Sequence, residues 1–319
     1  MNKKDLSNRD LLNRDLFKQI SQLASEQINP ETKNIDSASL SETLRMINNQ
    51  DKLVAHSVEQ VLPDIEIACE KIIHAFNSGG RLIYVGAGTS GRLGILDAAE
   101  CPPTFGSDPN LVGAIIAGGS DAVFQAQEGA EDSEELGILA IKEKNLTSKD
   151  IVCGLAASGR TPFVRAALSY AKSISCFTII ISTVPKTQLS ELNMIADSMI
   201  CPDVGPEVIM GSTRMKSATA QKMILNMLTT AAFVKMGKTY NNVMVDLQMT
   251  NKKLIERAKR IIILVTNCNY DEASFILEKS DNHVKTAIIM QKLACNKEYA
   301  KKLLDDNDGF IKTALSNNK

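Results

Sequence analysis

Aromatic residues are scarce in this chain of 319 residues: tryptophan is absent, and Phe, Tyr and Trp together make up 4%. Single-stranded nucleic acids bind largely through stacking on aromatic side chains, so this scarcity argues against such a surface. An excess of either charge is also missing, since 36 Lys and Arg stand against 37 Asp and Glu. A net charge of −1 gives no general attraction for nucleic acid or for an anionic membrane. We therefore expect neither partner.

Long apolar runs, clustered histidines and paired cysteines are missing as well. Short apolar runs such as 261–265 fall far below the ~20 residues that span a bilayer, and the N-terminus lacks the apolar core of a signal peptide. The three histidines are scattered, which predicts no metal centre. The seven cysteines are odd in number, widely spaced and without a CxxC motif. They indicate reduced thiols in a cytoplasmic protein.

The middle of the chain alternates between short apolar runs and helix-compatible stretches. The runs predicted to be strands are 82–85, 112–117, 151–155, 177–181 and 198–201. The stretches predicted to be helices are 91–99, 122–139, 162–173, 188–196 and 212–236, the last of them capped by Ser212. Strands that are apolar on both faces and alternate with helices predict an α/β fold with a doubly wound, parallel, five-stranded sheet.

The ends of the chain have a different character. Residues 1–42 are polar and rich in Asn, Asp and Ser, which predicts a loosely packed arm. Helical spacing follows from residue 41 to residue 76, with an interruption at Leu62-Pro63. Only helical patterning occurs after residue 250. We therefore predict three parts: the arm 1–42, the α/β domain 43–250 and a small all-helical subdomain 251–319.

The loop after the first predicted strand has an unusual composition. In a doubly wound sheet, ligands bind outside the carboxyl ends of the strands. Residues 86–92 read GAGTSGR, which is formally GxGxxG, but the next strand lacks the acidic end that a nicotinamide site needs. Thr89 and Ser90 stand instead at a helix start, where N–H groups and the helix dipole attract anions. A tight turn with a capping serine stays open as the alternative.

Two more helix starts carry hydroxyl groups. Ser158, Gly159 and Thr161 follow the third predicted strand, and Ser212 precedes the helix at 212–236. Any one of them is explained by simple capping. Together, the three starts favour a phosphorylated, hydroxyl-bearing ligand, and a phosphosugar fits that description.

Two glutamates are candidates for acid–base chemistry. Glu100 closes a predicted helix in the segment DAAECPP, where the helix dipole disfavours a carboxylate. Glu131 belongs to the acidic run 128–135. The alternatives are a frayed helix end for Glu100 and a solvated helix face for Glu131.

These segments carry a family resemblance. The motifs IYVGAGTSGRLGILDAAECPPTFG, IAGG, EGAED, AASGRTP, VGPEVIMGSTRMK, LNMLTT and NVMVD resemble those of the N-acetylmuramic acid 6-phosphate etherase family, within the sugar-isomerase (SIS) superfamily. The resemblance runs from Asn29-Pro30 to residues 309–311. It implies a lyase of peptidoglycan recycling or amino-sugar catabolism. Such an enzyme cleaves the C3 D-lactyl ether of its substrate and leaves N-acetylglucosamine 6-phosphate and D-lactate.

The resemblance also implies roles for particular residues. Glu100 would be the proton donor, and Glu131 would handle the C2 proton. No metal or other cofactor is implied. A homodimer is implied, and the apolar stretch 223–236 was one further reason to expect it. The candidate contacts to the phosphosugar are Gly88, Thr89, Ser90, Ser158, Gly159, Thr161, Glu207 and Ser212.

The chain departs from the family pattern in three places. Ile28 replaces Arg, 183–186 read TVPK in place of Asn-Pro-Gly-Ser, and Ser217-Ala218 replace Ala-Gly. Two other functions stay open on the same fold: a phosphosugar aldose–ketose isomerase and a non-catalytic regulator that senses sugar phosphates. Regulators of this kind normally carry a helix-turn-helix domain in front, and the polar arm is too short for one.

Overall fold

The computed structural model of the protein describes residues 17, 21, 23–127, 129–249 and 252–318. Most of the first eighteen residues of the predicted arm 1–42 lie outside this part, as does Glu128 of the acidic run. Of the helices that the structure describes, none is both long and apolar enough to cross a membrane.

The described end of the N-terminal arm is anchored, so the expectation of loose packing is wrong for it. Two short 3-10 turns, Ala24–Glu26 and Pro30–Thr32, carry buried polar side chains. Asn29 Nδ2 donates to Gln50 Oε1 at 2.8 Å, and Thr32 Oγ1 donates to the Val208 carbonyl at 2.8 Å. Polar composition was misleading here because the polar side chains of Asn29 and Thr32 find hydrogen-bond partners inside the fold.

Two helices precede the sheet, and both agree with the sequence pattern. Helix α1 spans Leu40–Glu59 and begins with a capping box between Ser39 and Glu42. Helix α2 spans Leu62–Asn77, so the predicted interruption falls just before Pro63. A proline is tolerated in the first turn of a helix because its missing N–H would have no partner there.

The five-stranded sheet confirms the predicted fold class. Its strands are β1 Leu82–Gly86, β2 Val112–Ile116, β3 Ile151–Leu155, β4 Phe177–Ile181 and β5 Ser198–Ile200. The spatial order is β2-β1-β3-β4-β5, and the pairs β1–β3, β3–β4 and β4–β5 run parallel. The chain therefore reverses its direction of travel across the sheet between β1 and β3, which is the topological switch point.

Helices connect the strands, although their bounds differ in part from the prediction. They are α3 Gly88–Phe105, α4 Asp121–Phe124, α5 Glu134–Lys142, α6 Pro162–Ser173, α7 Lys186–Glu191 and α8 Lys216–Lys235. A 3-10 turn, Ala130–Asp132, lies between α4 and α5. The single helix predicted over 122–139 is thus wrong: α4 already ends at Phe124, Gly129 is left-handed (φ 75°) and Ser133 caps a new helix.

The chain covers most, but not all, of the apolar surface that was expected of 223–236. Five apolar side chains of this stretch, all in helix α8, are completely buried: Ile224, Leu225, Leu228, Ala232 and Phe233. Val234 remains 40% exposed, so the stretch keeps some apolar surface and the homodimer stays a prediction.

The C-terminal region is helical, as predicted, after a short hairpin that was not predicted. The hairpin pairs β6 Thr239–Tyr240 with β7 Val243–Met244. The helices that follow are α9 Lys252–Thr266, α10 Tyr270–Lys279, α11 Val284–Leu293, α12 Lys297–Asp305 and α13 Ile311–Ser316. They share one apolar core, in which Ala258, Ile288 and Ala300 are completely buried.

Asp246, a partly buried carboxylate, pairs with several cations next to this hairpin. Asp246 accepts from Lys238 Nζ at 2.7 Å and lies 3.1 Å from Lys285 Nζ and 3.6 Å from His283 Nε2. Burial would raise the pKa of Asp246, but the hydrogen bond with His283 and the charges of the two lysines hold this pKa well below its usual range.

By their internal contacts the residues form two compact units. The first comprises the described parts of Met1–Ala68, Leu82–Ile95 and Ala114–Asn226, and its core includes Val85, Val152 and Ile180 of the sheet. The second comprises Cys69–Arg81, Leu96–Gly113 and the described part of Met227–Lys319. The division into parts 1–42, 43–250 and 251–319 stays a prediction.

Candidate functional site

The loops after β1 and β3 leave the sheet side by side. Gly86 and Leu155 are register partners at the ends of these strands, so both loops start at the same level of the carboxyl edge. The turn after β1 is tight, since a Cβ on Gly86 would lie 2.7 Å from the Gly91 backbone nitrogen. The structure thereby brings together the first two of the three predicted hydroxyl-rich helix starts.

The first of these loops opens helix α3 at Gly88, three residues before the predicted start at residue 91. Gly88 adopts a left-handed conformation (φ 52°) and is exposed, while Thr89 and Ser90 are partly buried. Ser90 Oγ donates to Gln221 Oε1 of α8 at 2.7 Å. The hydroxyl proton of Ser90 is therefore engaged within the protein, and its loop is fixed to α8.

Glu131 faces a cavity of about 270 Å³ at the same edge of the sheet. Gly88, Arg92, Ala117 and Gln127 also line it, so Glu131 and a predicted phosphosugar contact share one cavity. Glu131 is exposed on the 3-10 turn after Gly129. It does not lie on a solvated helix face, which was the alternative to a functional role. A carboxylate on a short turn beside an open cavity is accessible to a ligand.

Glu100 lies inside α3 and does not end it, which corrects the prediction. The helix continues through Pro102 and Pro103 to Phe105, although each proline lacks the N–H of a helical hydrogen bond. Phe105 stacks on Phe233 with ring centroids 4.7 Å apart, and this packing holds the last turn. Glu100 is exposed and belongs to the second unit, whereas Glu131 belongs to the first.

The residue after Glu100, Cys101, is buried and its thiol is unreactive. Cys101 is 3% exposed, and its Sγ donates to the Asp97 carbonyl at 3.2 Å. Burial first, and the negative charge of Asp97 second, raise the pKa of the Cys101 thiol to about 12. This residue therefore has no ready proton to exchange, which leaves Glu100 as the titratable group of DAAECPP that is open to solvent.

The loop after β3 forms a tight turn that leads into helix α6. Gly159 is left-handed (φ 66°), and a Cβ there would lie 2.3 Å from Leu189, so only glycine fits. Thr161 precedes Pro162, the first residue of α6. Ser158 is partly buried, and its N–H makes no hydrogen bond within the described part of the chain. Ser158 can therefore offer a backbone donor to an anion.

Glu207 has a task other than the predicted ligand contact. It is completely buried, and its carboxylate accepts from Lys216 N at 2.9 Å and from Ser217 N and Oγ at 2.9 and 2.8 Å. Glu207 thus caps α8, which begins at Lys216 and not at Ser212. We leave Glu207 out of the substrate contacts, and Ser212, in the turn before α8, stays a prediction.

Sequence reasoning missed three side chains that support these loops: Thr183, Ser217 and Gln221. All three are buried. Thr183 Oγ1 lies 3.0 Å from Ser217 Oγ, so two departures from the family pattern contact each other. The available signal for Thr183 and Ser217 was that both positions depart from the family pattern. The third departure, Ile28, is largely exposed.

Metal ligands do not gather in the part of the chain that the structure describes. No group of three or more His, Cys, Asp or Glu side chains is placed there to hold a metal ion.

A parallel sheet with hydroxyl-rich loops at its switch point defines the class of protein, a sugar-isomerase-type (SIS) domain. Residues 64–172 match the family model of the glucokinase regulatory protein N-terminal SIS domain. Among solved structures, the phosphoheptose isomerase of Neisseria gonorrhoeae aligns with 13% identity over 61% of this chain and 98% of that chain, with a TM-score of 0.46.

Curated relatives identify the family within this class. The N-acetylmuramic acid 6-phosphate etherase of Salinibacter ruber is 54% identical over 86% of this chain and 88% of its own length. That of Clostridioides difficile is 53% identical over 86% of this chain and 90% of its own length. The chain belongs to the N-acetylmuramic acid 6-phosphate etherase family.

Proposed function

We propose that this protein is a carbon–oxygen lyase that removes D-lactate from C3 of N-acetylmuramic acid 6-phosphate and leaves N-acetylglucosamine 6-phosphate. The observation that carries the proposal is the identity of more than half of the aligned positions with etherases over nearly their full length. The reaction would serve cell-wall recycling or amino-sugar catabolism. Substrate and product are both phosphosugars.

The chemistry asks for proton transfers at two neighbouring carbons. Opening the sugar ring exposes a C1 aldehyde, which acidifies the proton on C2. A carboxylate removes that proton, the electron pair forms a C2–C3 double bond, and the C3–O bond breaks. A carboxylic acid protonates the departing lactyl oxygen. Water then adds at C3, and a proton returns to C2. Each well-placed acid or base contributes about 10²–10⁴-fold to such a reaction.

The proposed catalytic pair is Glu100 and Glu131. Both side chains are exposed, and Glu131 shares a cavity with Gly88. The resemblance assigns proton donation to Glu100 and the C2 proton to Glu131. The phosphosugar contacts in this proposal are Gly88, Thr89, Ser90, Ser158, Gly159, Thr161 and Ser212. The steps move protons and no electrons to an acceptor, so the proposal includes no cofactor.

The proposal includes a cytoplasmic homodimer. The seven cysteines are free thiols in the structure, and free thiols are typical of a reducing compartment. The homodimer rests on the family resemblance alone.

The test is incubation of the purified protein with N-acetylmuramic acid 6-phosphate, with D-lactate measured by a coupled dehydrogenase and the sugar product by mass spectrometry. Equimolar D-lactate and N-acetylglucosamine 6-phosphate are expected. Unphosphorylated N-acetylmuramic acid and the Glu100→Gln variant serve as controls. An aldose–ketose isomerase would give an isomer of a phosphosugar without lactate. A regulator would bind the phosphosugar without turnover, and either result would overturn the proposal.

A further inference from the structure

A buried chain of hydrogen bonds lies beneath the Ser158 loop. Glu207 accepts from the Ser217 hydroxyl at 2.8 Å, and the Ser217 oxygen lies 3.0 Å from Thr183 Oγ1. The Ala157 carbonyl oxygen, next in the chain, is 3.1 Å from Thr183 N, Thr183 Oγ1 and Ser182 Oγ. None of the three hydroxyl groups is more than 5% exposed. They therefore act on a ligand only through the loop that they hold.

The carboxylate of Glu207 fixes the direction of the protons in this chain. An ionised carboxylate only accepts, so the Ser217 hydroxyl must donate to Glu207. The Ser217 oxygen is then left to accept the single proton of the Thr183 hydroxyl. Thr183 N–H and the Ser182 hydroxyl remain as donors to the Ala157 carbonyl. Thr183 thus ties the start of α8 to the loop after β3.

The Ala157 carbonyl in turn sets the orientation of the Ser158 N–H. The two groups belong to one planar peptide unit and point in opposite directions in a trans peptide. Donors from Ser182 and Thr183 hold the carbonyl on the side of β4, so the Ser158 N–H points away from β4. That N–H makes no hydrogen bond within the described residues. Donors on the carbonyl also polarise the peptide, which makes its N–H a stronger donor.

We propose that Thr183, together with Ser217, is a positioning residue for the anionic group of the substrate. The pair holds the Ala157–Ser158 peptide so that its N–H is aimed at that group before the ligand arrives. This inference rests on the proposed function, since it assumes that the Ser158 loop takes the phosphate of the phosphosugar. Thr183 and Ser217 do not touch the substrate.

The test compares three variants with the wild type. Thr183→Val keeps the shape and removes the hydroxyl, Thr183→Ser restores it, and Ser217→Ala breaks the chain without altering residue 183. Thr178→Val is the matched control: Thr178 is a completely buried threonine of strand β4, which Thr183 follows, and its hydroxyl donates to Asp197 at 2.7 Å. The readouts are kcat and KM for lactate release and calorimetric binding of N-acetylglucosamine 6-phosphate.

We expect Thr183→Val to raise KM and to weaken product binding by about tenfold or more, because a hydrogen bond to a charged group is misplaced. Its kcat should change by less than about threefold, since the glutamates are untouched. Thr183→Ser should restore both values, and Ser217→Ala should shift them in the same direction as Thr183→Val. Thr178→Val should lower the melting temperature and leave KM unchanged.

Unchanged KM and binding in Thr183→Val would overturn the inference, and so would an equal effect of Thr178→Val. If Thr183→Val does not fold, Ser217→Ala decides alone by the same criterion. The proposed function fails separately, by absence of lactate from the wild type. The binding measurement needs no turnover, so it tests the positioning role even in that case.

Discussion

Ser90 Oγ donates to Gln221 Oε1 at 2.7 Å, which joins the loop after β1 to the second turn of α8. The hydroxyl proton of Ser90 is thus committed, and the anion-binding capacity of this loop resides in its backbone N–H groups and Thr89. With the Ser158 N–H from the neighbouring loop, these donors form an edge of the sheet suited to a phosphate.

The 6-phosphate should therefore be required for turnover. Hydrogen bonds to a charged group contribute about 1.5–3 kcal/mol each. Unphosphorylated N-acetylmuramic acid should show kcat/KM lower by at least about 10²-fold, measured by D-lactate release. Inorganic phosphate should compete with the natural substrate. Comparable turnover of the two sugars would contradict the assignment of these loops.

The two glutamates should be separable by isotope exchange. Glutamine keeps the shape but transfers no proton, so Glu100→Gln and Glu131→Gln should each slow elimination by about 10²-fold or more. If Glu131 removes the C2 proton, Glu131→Gln should abolish deuterium uptake at C2 from heavy water. Glu100→Gln should retain uptake while releasing little lactate.

Glu135→Gln is the control for these variants, because Glu135 is exposed on α5 in the same acidic run. It should behave as wild type. The reverse uptake pattern would exchange the two roles. If Glu100→Gln and Glu131→Gln both release lactate at the wild-type rate, neither glutamate is catalytic.

Chelation should leave the activity intact. The proposed steps need only proton transfers by carboxylates, so overnight dialysis against EDTA should change kcat by less than about twofold. Loss of a catalytic metal would lower kcat by much more than this. The measurement is lactate release before dialysis, after dialysis and after addition of Mg²⁺ or Zn²⁺. Loss of activity that a divalent metal restores would show that carboxylates alone are insufficient.

Asp246 should make the fold sensitive to acid. The pKa of Asp246 is held below its usual value in the folded protein. As the pH falls below about 4, the unfolded chain therefore binds more protons at this residue than the folded chain does, which favours unfolding. The contribution of Asp246 to the free energy of unfolding is present above that pH and is lost as the pH falls further. Asp246→Asn should cost about 3 kcal/mol at neutral pH, because the charge of buried Lys285 loses its partner.

Urea unfolding at pH 7, 5, 4 and 3 checks this expectation. Asp281→Asn is the control, since Asp281 also pairs with two lysines, Lys297 and Lys301, but on the surface. Surface pairs contribute little, so this variant should unfold like the wild type. Equal stability of all three proteins would mean that the Asp246 cluster does not stabilise the fold.

The protein should be a homodimer at micromolar concentration. Sedimentation equilibrium with the full chain measures the mass directly. We expect the mass of a dimer at every protein concentration at which the rate of lactate release is proportional to that concentration. A fully active monomer would contradict the proposed homodimer.

The sheet could be read from the sequence because its signal is local. Ile151–Leu155 and Phe177–Ile181 are apolar runs buried on both faces, and the structure reproduces their predicted bounds. The start of α8 could not be read in this way. Ser212 is a good capping residue by type, but the cap comes from Glu207, nine residues before Lys216, through a loop whose path no local pattern specifies.

The local structure around the two glutamates could not be predicted from the sequence for related reasons. Around Glu131, helix-compatible composition conceals the end of α4 at Phe124, the left-handed Gly129 and the new cap at Ser133. Around Glu100, two prolines predict a helix end, but packing of Phe105 against Phe233 extends the helix past them. In both cases tertiary structure overrides local propensity.

Cys101 bears on how the protein responds to oxidants. Thiols react with peroxide and alkylating agents as thiolates. With a pKa of about 12, fewer than about one Cys101 side chain in 10,000 is a thiolate at neutral pH. Oxidation or alkylation of Cys101 would disturb the helix turn that carries Glu100. Burial of the thiol makes both reactions slow. Oxidative stress that inactivates exposed-thiol enzymes should therefore spare this helix turn.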